Sequence, residues 1–296
     1  MIQSIDLPSS WIQEIATDRS GDQSVQIFTQ IFRSEPWASP RALVVVHGIG
    51  EHGGRYSHLP RALSSEVSAI VLPDHRGHGR SEGLRGDAPH FDRLAEDIGF
   101  GIRRLEAQLI ERFGKSEIHL LGHSMGGLVT LRLLQLYPTL PLKSVTLSAP
   151  FLGIQAEIPW FKKAASRLLN RVWSTLQIPS ELDTAAISQR PEVVAAYQAD
   201  RLVHSKITPR FFESMMAVQT SIFEEKYSCE FPIQFLIPMK DRLVSSERSL
   251  DFYARLDAPK KRLQKFENSF HEILNDLESE QGFLALRNWI NEHGSN

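Results

Sequence analysis

Short continuous apolar runs alternate along the chain with longer stretches whose apolar residues recur every three or four positions. Leu43-Val44-Val45-Val46, Ala69-Ile70-Val71-Leu72, Ile118-His119-Leu120-Leu121 and Ser144-Val145-Thr146-Leu147 are four such runs. A run without polar alternation predicts a strand buried on both faces, as in a parallel sheet between helical layers. Ser24 to Phe32 alternates instead, which predicts an antiparallel strand at the start of the sheet. Between the runs, Phe91, Leu94, Ile98, Ile102, Leu105 and Leu109 share one helical face. Leu128, Leu131 and Leu134 mark a second helix, which stops before Pro138.

The pattern changes after Pro150. From Phe151 to Glu230 only helical patterns appear, broken by Pro159, Pro179, Pro191 and Pro209. Strand patterns return at Phe231 to Ile237 and at Leu263 to Phe266, and a helix from Glu280 to Glu292 closes the chain. These features predict an α/β core of residues 1–150 and 231–296, interrupted by a helical lid over 151–230 at the carboxyl edge of the sheet.

Composition excludes several classes. With 42% hydrophobic and 23% charged residues, the chain has the make-up of an ordinary globular protein with a substantial core. A net charge of −2 offers no general attraction to nucleic acid. The lone Cys229 cannot build a disulfide framework and suits a reducing compartment. The first residues carry no basic segment followed by an apolar one, and no apolar run approaches the ~18 residues of a membrane span. The expectation is a soluble, cytoplasmic protein.

Chemistry enters at Gly122-His123-Ser124-Met125-Gly126. This motif follows a predicted strand and precedes a predicted helix, and so resembles the nucleophile elbow of the α/β-hydrolase fold, with Ser124 as nucleophile. The flanking glycines suit a strained turn that another element approaches closely. The plainer alternative is a structural turn serine. Gly114-Lys115-Ser116 is no phosphate loop, because position 109 is leucine and a strand follows.

In that fold the acid and then the histidine follow the serine in the chain. Of the 11 histidines only His204, His271 and His293 do so. His204 falls in the lid and His293 at the C-terminus. His271, in Asn268-Ser269-Phe270-His271-Glu272-Ile273, directly follows the last strand and is the expected base, the alternative being a surface-loop histidine. Asp241 closes the strand that resumes after the lid and is the expected acid. Asp200-Arg201-Leu202-Val203 repeats the quartet Asp241-Arg242-Leu243-Val244, but inside the lid, where a structural role is expected. Asp251 and Asp257, in a helix and its following loop, are less well placed.

A serine hydroxyl is a weak nucleophile, so His271 must take its proton while Asp241 fixes the imidazole. The developing oxyanion needs backbone donors, expected at the amides of Met125 and of Ile49 in His47-Gly48-Ile49-Gly50.

His47-Gly48-Ile49-Gly50-Glu51-His52-Gly53-Gly54-Arg55-Tyr56 closely resembles a block of the monoacylglycerol lipase and lysophospholipase family of α/β hydrolases, also grouped with serine aminopeptidase S33-like domains. Asp74 to Gly83, the elbow, the lid residues Val194, Tyr197, Asp200, Leu202 and Val203, and the Asp241 and His271 loops match further blocks in order, so the resemblance runs from about Gln26 onward. It implies a mainly parallel eight-stranded sheet, a serine esterase or lipase without metal or other cofactor, and lipid-like ester substrates such as monoacylglycerols or lysophospholipids. It also implies that Glu51 and Arg55 lie near a pocket for the polar head; a salt bridge that shapes the loop is the alternative for both. The chain departs from the family at Arg201, usually Pro, and at Leu274, where lipases often carry a second histidine. Val244 stands where some animal lipases have cysteine. The first two departures bear on the alcohol, not on Ser124, Asp241 and His271.

Trp160, Phe161, Ala164, Leu168, Leu169, Val172, Trp173 and Leu176 form an apolar stripe on a predicted lid helix, with Lys163, Arg167 and Arg171 opposite. The expectation is that the stripe packs down on the core, with Trp160 and Phe161 contributing to the acyl site. The sharper alternative is an interfacial helix that touches a membrane surface. Other readings of the same triad are a short-chain carboxylesterase, a thioesterase, a peptidase, or a hydrolase-fold ligand receptor. The Gly-Gly-Pro-Gly loop usual in proline iminopeptidases is absent.

Overall fold

In a computed structural model describing residues 7–155 and 159–294, but not the side chains of Trp160, Lys162 and Lys163, eight strands form one sheet. They are β1 (Trp11–Arg19), β2 (Gln26–Ser34), β3 (Arg41–Val46), β4 (Ala69–Pro73), β5 (Glu117–His123), β6 (Leu142–Ser148), β7 (Ile233–Pro238) and β8 (Lys261–Phe266). Their spatial order is β1-β2-β4-β3-β5-β6-β7-β8. Only β2 runs against its neighbours, pairing antiparallel with β1 and β4, and the remaining pairs are parallel.

The unbroken apolar run of β3 is explained by its two sides. Val44 and Val46 face one core with α2 (Asp92–Phe113) and α3 (Met125–Leu136). Leu43 and Val45 face another, with α1 (Leu59–Leu63) and α8 (Ser279–His293). Helices therefore cover both faces. Trp289 of α8 is fully buried and donates from Nε1 to the Val145 carbonyl (3.1 Å), pinning the last helix under β6.

Strand β1 has no counterpart among the predicted elements. Its sequence, WIQEIATDR, is mostly polar and even leaves Ile15 62% exposed, so backbone pairing to β2 holds it rather than an apolar period.

Between β6 and β7 lie α4 (Trp160–Val172), α5 (Pro191–Ala199), α6 (Pro209–Glu224) and a two-residue antiparallel ladder, Ile178–Pro179 with Lys206–Ile207. Pro191 and Pro209 occupy first-turn positions, where a missing N–H costs nothing, so they start helices rather than merely interrupt them. Helix α6 is more than a cover: Phe211, Met215 and Ile222 join the main core, and Phe211 stacks on Phe91 at 5.9 Å.

Helix α4 departs from expectation. Phe161, Leu168 and Val172 are 55%, 61% and 77% exposed, while Ser166 is buried. The apolar stripe thus points largely to solvent instead of packing down, although α4 lies against α6.

Trp289→Ala is expected to cost about 3–5 kcal/mol by cavity formation and the orphaned Val145 carbonyl, measurable as a lowered denaturant midpoint in urea.

Candidate active site

The elbow is built by close approach of backbones. Ser124, between β5 and α3, has φ 55° and ψ −120°, a strained conformation for a residue with a side chain. Four hydrogen bonds over-determine it. Its N–H donates to the Ser148 carbonyl (3.0 Å), and its own carbonyl accepts from Gly127, Leu128 and Phe151. The flanking glycines serve proximity, not a left-handed φ. A β-carbon on Gly126 would lie 2.0 Å from the Val46 carbonyl oxygen, and one on Gly122 would lie 2.4 Å from Thr130 Oγ1.

That approach brings the loop after β3 against the nucleophile candidate. A β-carbon on Gly48 would sit 3.3 Å from Ser124 Cβ. The Gly48 amide is already committed to Glu51 Oε1 (2.6 Å), which leaves the half-buried Ile49 next in the loop as the candidate donor. Met125 supplies the first amide of α3, at the positive end of the helix dipole.

Asp241 and His271 meet. Asp241, three residues past β7, accepts from His271 Nδ1 at 2.7 Å, and its other oxygen accepts from the Leu243 and Val244 amides (2.8 and 3.0 Å). The His271 ring lies 4.8 Å, centroid to centroid, from that of His123, the residue just before Ser124. Burial opposes protonation of His271, but Asp241, with Glu272 and Glu51 behind it, raises its pKa above the ordinary 6.5. Burial instead pushes His123 and His47 down to about 4 and about 3, so both are neutral near pH 7.

Glu51 and Arg55 lie below the surface. Arg55 Nη1 donates to Glu51 Oε2 and to Glu272 Oε1, both at 2.5 Å, and Nη2 donates to Glu272 Oε2 at 2.8 Å. Burial opposes ionisation of Glu51, yet the Arg55 guanidinium and the Gly48 amide hold it well below the ordinary carboxylate range. Glu272 escaped the sequence reading, although it adjoins His271 and Arg55 called for an acidic partner. Tyr197 of α5 was likewise read only as part of a motif, and its ring lies 4.5 Å from the Arg55 guanidinium carbon.

The segment between β6 and β7 is fastened to this loop. His52 Nε2 pairs with Asp200 Oδ2 (2.8 Å), and the His204 amide donates to the Gly50 carbonyl (2.9 Å). Asp200 is thus a clamp, remote from the His271 hydrogen bond. Phe161 stands on the exposed outer part of α4, and the Trp160 side chain lies outside the described residues.

Comparison with known proteins agrees with this architecture. The model of the family described as serine aminopeptidase, S33 (Hydrolase_4) matches residues 38–278. A monoacylglycerol lipase of Mycolicibacterium smegmatis is 28% identical over 87% of this chain and 91% of its own length. Phospholipase YtpA of Bacillus subtilis is 25% identical over 87% of this chain and 98% of its own. An uncharacterized abhydrolase domain-containing protein of Dictyostelium discoideum is 26% identical over 88% of this chain, which spans 27% of that longer protein. The crystal structure of Paleococcus ferrophilus monoacylglycerol lipase superposes with a TM-score of 0.77 at 27% identity, covering 90% of this chain and 99% of that one.

Gly126→Ala is expected to lose about 3 kcal/mol, the upper end of the usual cost of overpacking, because the added carbon meets backbone rather than a flexible side chain. Gly101→Ala in α2, where a β-carbon meets nothing within 4 Å, is expected to be neutral or to gain up to ~1 kcal/mol. Paired thermal melts check both.

Proposed function

Because the chain belongs to the serine aminopeptidase S33 (Hydrolase_4) family of α/β hydrolases, we propose that it is a serine esterase acting on lipid-like carboxylic esters, monoacylglycerols or lysophospholipids. The observation that carries this reading is the 2.7 Å Asp241–His271 hydrogen bond set beside a strained serine elbow. The lipase and phospholipase named among the relatives support the substrate class.

With Nδ1 held by Asp241, His271 offers Nε2 to Ser124. Ser124 Oγ attacks the ester carbonyl carbon as its proton passes to Nε2. The carbonyl oxygen takes the negative charge and is held by the amides of Met125 and Ile49. Collapse expels the alcohol, which leaves with the proton from His271. Water, deprotonated by the same nitrogen, then attacks the acyl carbonyl; the carboxylic acid is released as Ser124 Oγ leaves and takes the proton back from His271.

Helix α4 suits delivery from a lipid surface. Its exposed Phe161, Leu168 and Val172 are accompanied by exposed Arg167 and Arg171, the composition of an interfacial helix. No helix among the described residues is long and apolar enough to cross a membrane.

Ser124→Ala is expected to lower kcat on a monoacylglycerol by at least about 10⁴-fold; retained turnover would refute the assignment. His271 works as a base only when neutral, and its pKa is raised above 6.5. The acid limb of kcat/KM should therefore lie above pH 6.5, and a limb below it would contradict the assignment. Leu168→Asp with Val172→Asp should reduce pelleting with anionic liposomes, whereas pelleting equal to the parent protein would remove α4 from the membrane contact.

A further inference from the structure

We propose that Glu51, Arg55 and Glu272 form one buried brace that fixes the His271 loop against the Gly48–Ile49 loop, so that Arg55 and Glu272 are positioning residues of the hydrolysis rather than contacts for the alcohol. The inference rests on the esterase reading of Ser124, Asp241 and His271.

The chain of bonds is continuous. It starts at the Gly48 N–H, which donates to Glu51 Oε1 (2.6 Å), where the Tyr56 hydroxyl also donates (2.9 Å). Glu51 Oε2 takes Arg55 Nη1, and Arg55 grips both oxygens of Glu272. Glu272 is the residue after His271, and its amide donates to the Ile187 carbonyl in the insertion (2.8 Å). Asn275 Nδ2 adds a further bond to Glu272 Oε2 (3.0 Å). One end of the brace thus holds the amide next to the Ile49 donor and the other holds the backbone of the base.

The guanidinium is ill placed to recognise a substrate hydroxyl. Three of its five N–H bonds point into carboxylates, and the Tyr197 ring lies 4.5 Å away. The side chains of Arg55, Glu51 and Glu272 are 11%, 4% and 6% exposed.

The brace also has a charge. Two carboxylates and one guanidinium leave a net negative charge under the imidazole, favouring the imidazolium formed during proton transfer. The other ionisable groups around His271 are Asp241 on the β7 loop, neutral His123 at the end of β5, Tyr56 in the turn after β3 and Tyr197 on α5. Burial and the neighbouring carboxylates raise both tyrosines well above their ordinary range, so neither carries charge near neutral pH. Glu272 is therefore a group whose replacement removes charge next to His271 without touching Asp241.

The experiment compares a monoacylglycerol with the p-nitrophenyl ester of the same acyl chain, in the parent protein and in Glu272→Gln and Arg55→Lys. On both esters alike, the variants should lose about 10- to 100-fold in kcat, the scale expected for misplaced catalytic groups, with KM changed less than about threefold. In Glu272→Gln the acid limb of kcat/KM should move to lower pH, and Glu272→Asp should restore part of the rate and the limb. Loss confined to the glycerol ester, expressed in KM, would instead make Arg55 an alcohol contact and overturn the brace. So would an unmoved limb with equal thermal melts. If Glu272→Gln does not fold, Glu272→Asp carries the rate comparison alone: it should lower kcat on both esters alike with the limb in place, because a shortened carboxylate keeps the charge but loosens the grip, and an unchanged kcat would overturn the brace. A parent protein inactive on both esters would refute the esterase reading itself, and the brace with it.

Discussion

The arrangement depends on three stretches of backbone meeting at Gly126. The carbonyls of Val46 and His47, at the end of β3, come so close to the first turn of α3 that a β-carbon there would lie 2.0 and 2.6 Å from their oxygens. Only this contact lets the Gly48–Ile49 loop lie against Ser124. A single methyl group at the crossing would push the Gly48–Ile49 loop and the first turn of α3 apart. The strain at Ser124 has the same origin: a strand must turn into a helix within one residue while β6 and the following loop hold that residue by its N–H and carbonyl.

Around this rigid centre the charged groups are arranged in buried pairs. His271 is bound to Asp241 and Arg55 lies between Glu51 and Glu272, while nearer the surface His52 pairs with Asp200, whose side chain is 30% exposed. Removing one partner of a buried pair leaves an uncompensated charge and typically costs about 3–5 kcal/mol. Each loop at the site is therefore cheaper to keep in place than to displace. The insertion is fixed along the same lines, since its Tyr197–His204 segment grips the loop after β3 and α6 shares the main core. Only α4 stands clear, with its apolar residues turned outward. The insertion thus combines an anchored side with an outward-facing helix.

Much of this was legible in the residues. Continuous apolar runs marked the strands of the sheet interior, because a strand covered on both faces has no polar position to alternate with. The elbow was legible because its two glycines answer a local demand for space, and chain order singled out Asp241 and His271 by where strands end. Strand β1 was not legible: an edge strand held mainly by backbone bonds needs no apolar period. The direction of α4 was not legible either, since an apolar stripe looks the same whether it faces a core or solvent.

By itself, then, the sequence determined the sheet interior, the turn that carries Ser124, and the strand ends after which Asp241 and His271 stand, all local matters of burial, sterics and order. The tertiary structure decided what Glu51 and Arg55 do, by bringing Glu272, 217 residues from Arg55, to within 2.5 Å. It also turned Asp200 from a second copy of the acid motif into the partner of His52. Ion pairing between distant segments leaves no period in a sequence, because a charge records neither its partner nor whether water will be excluded from it.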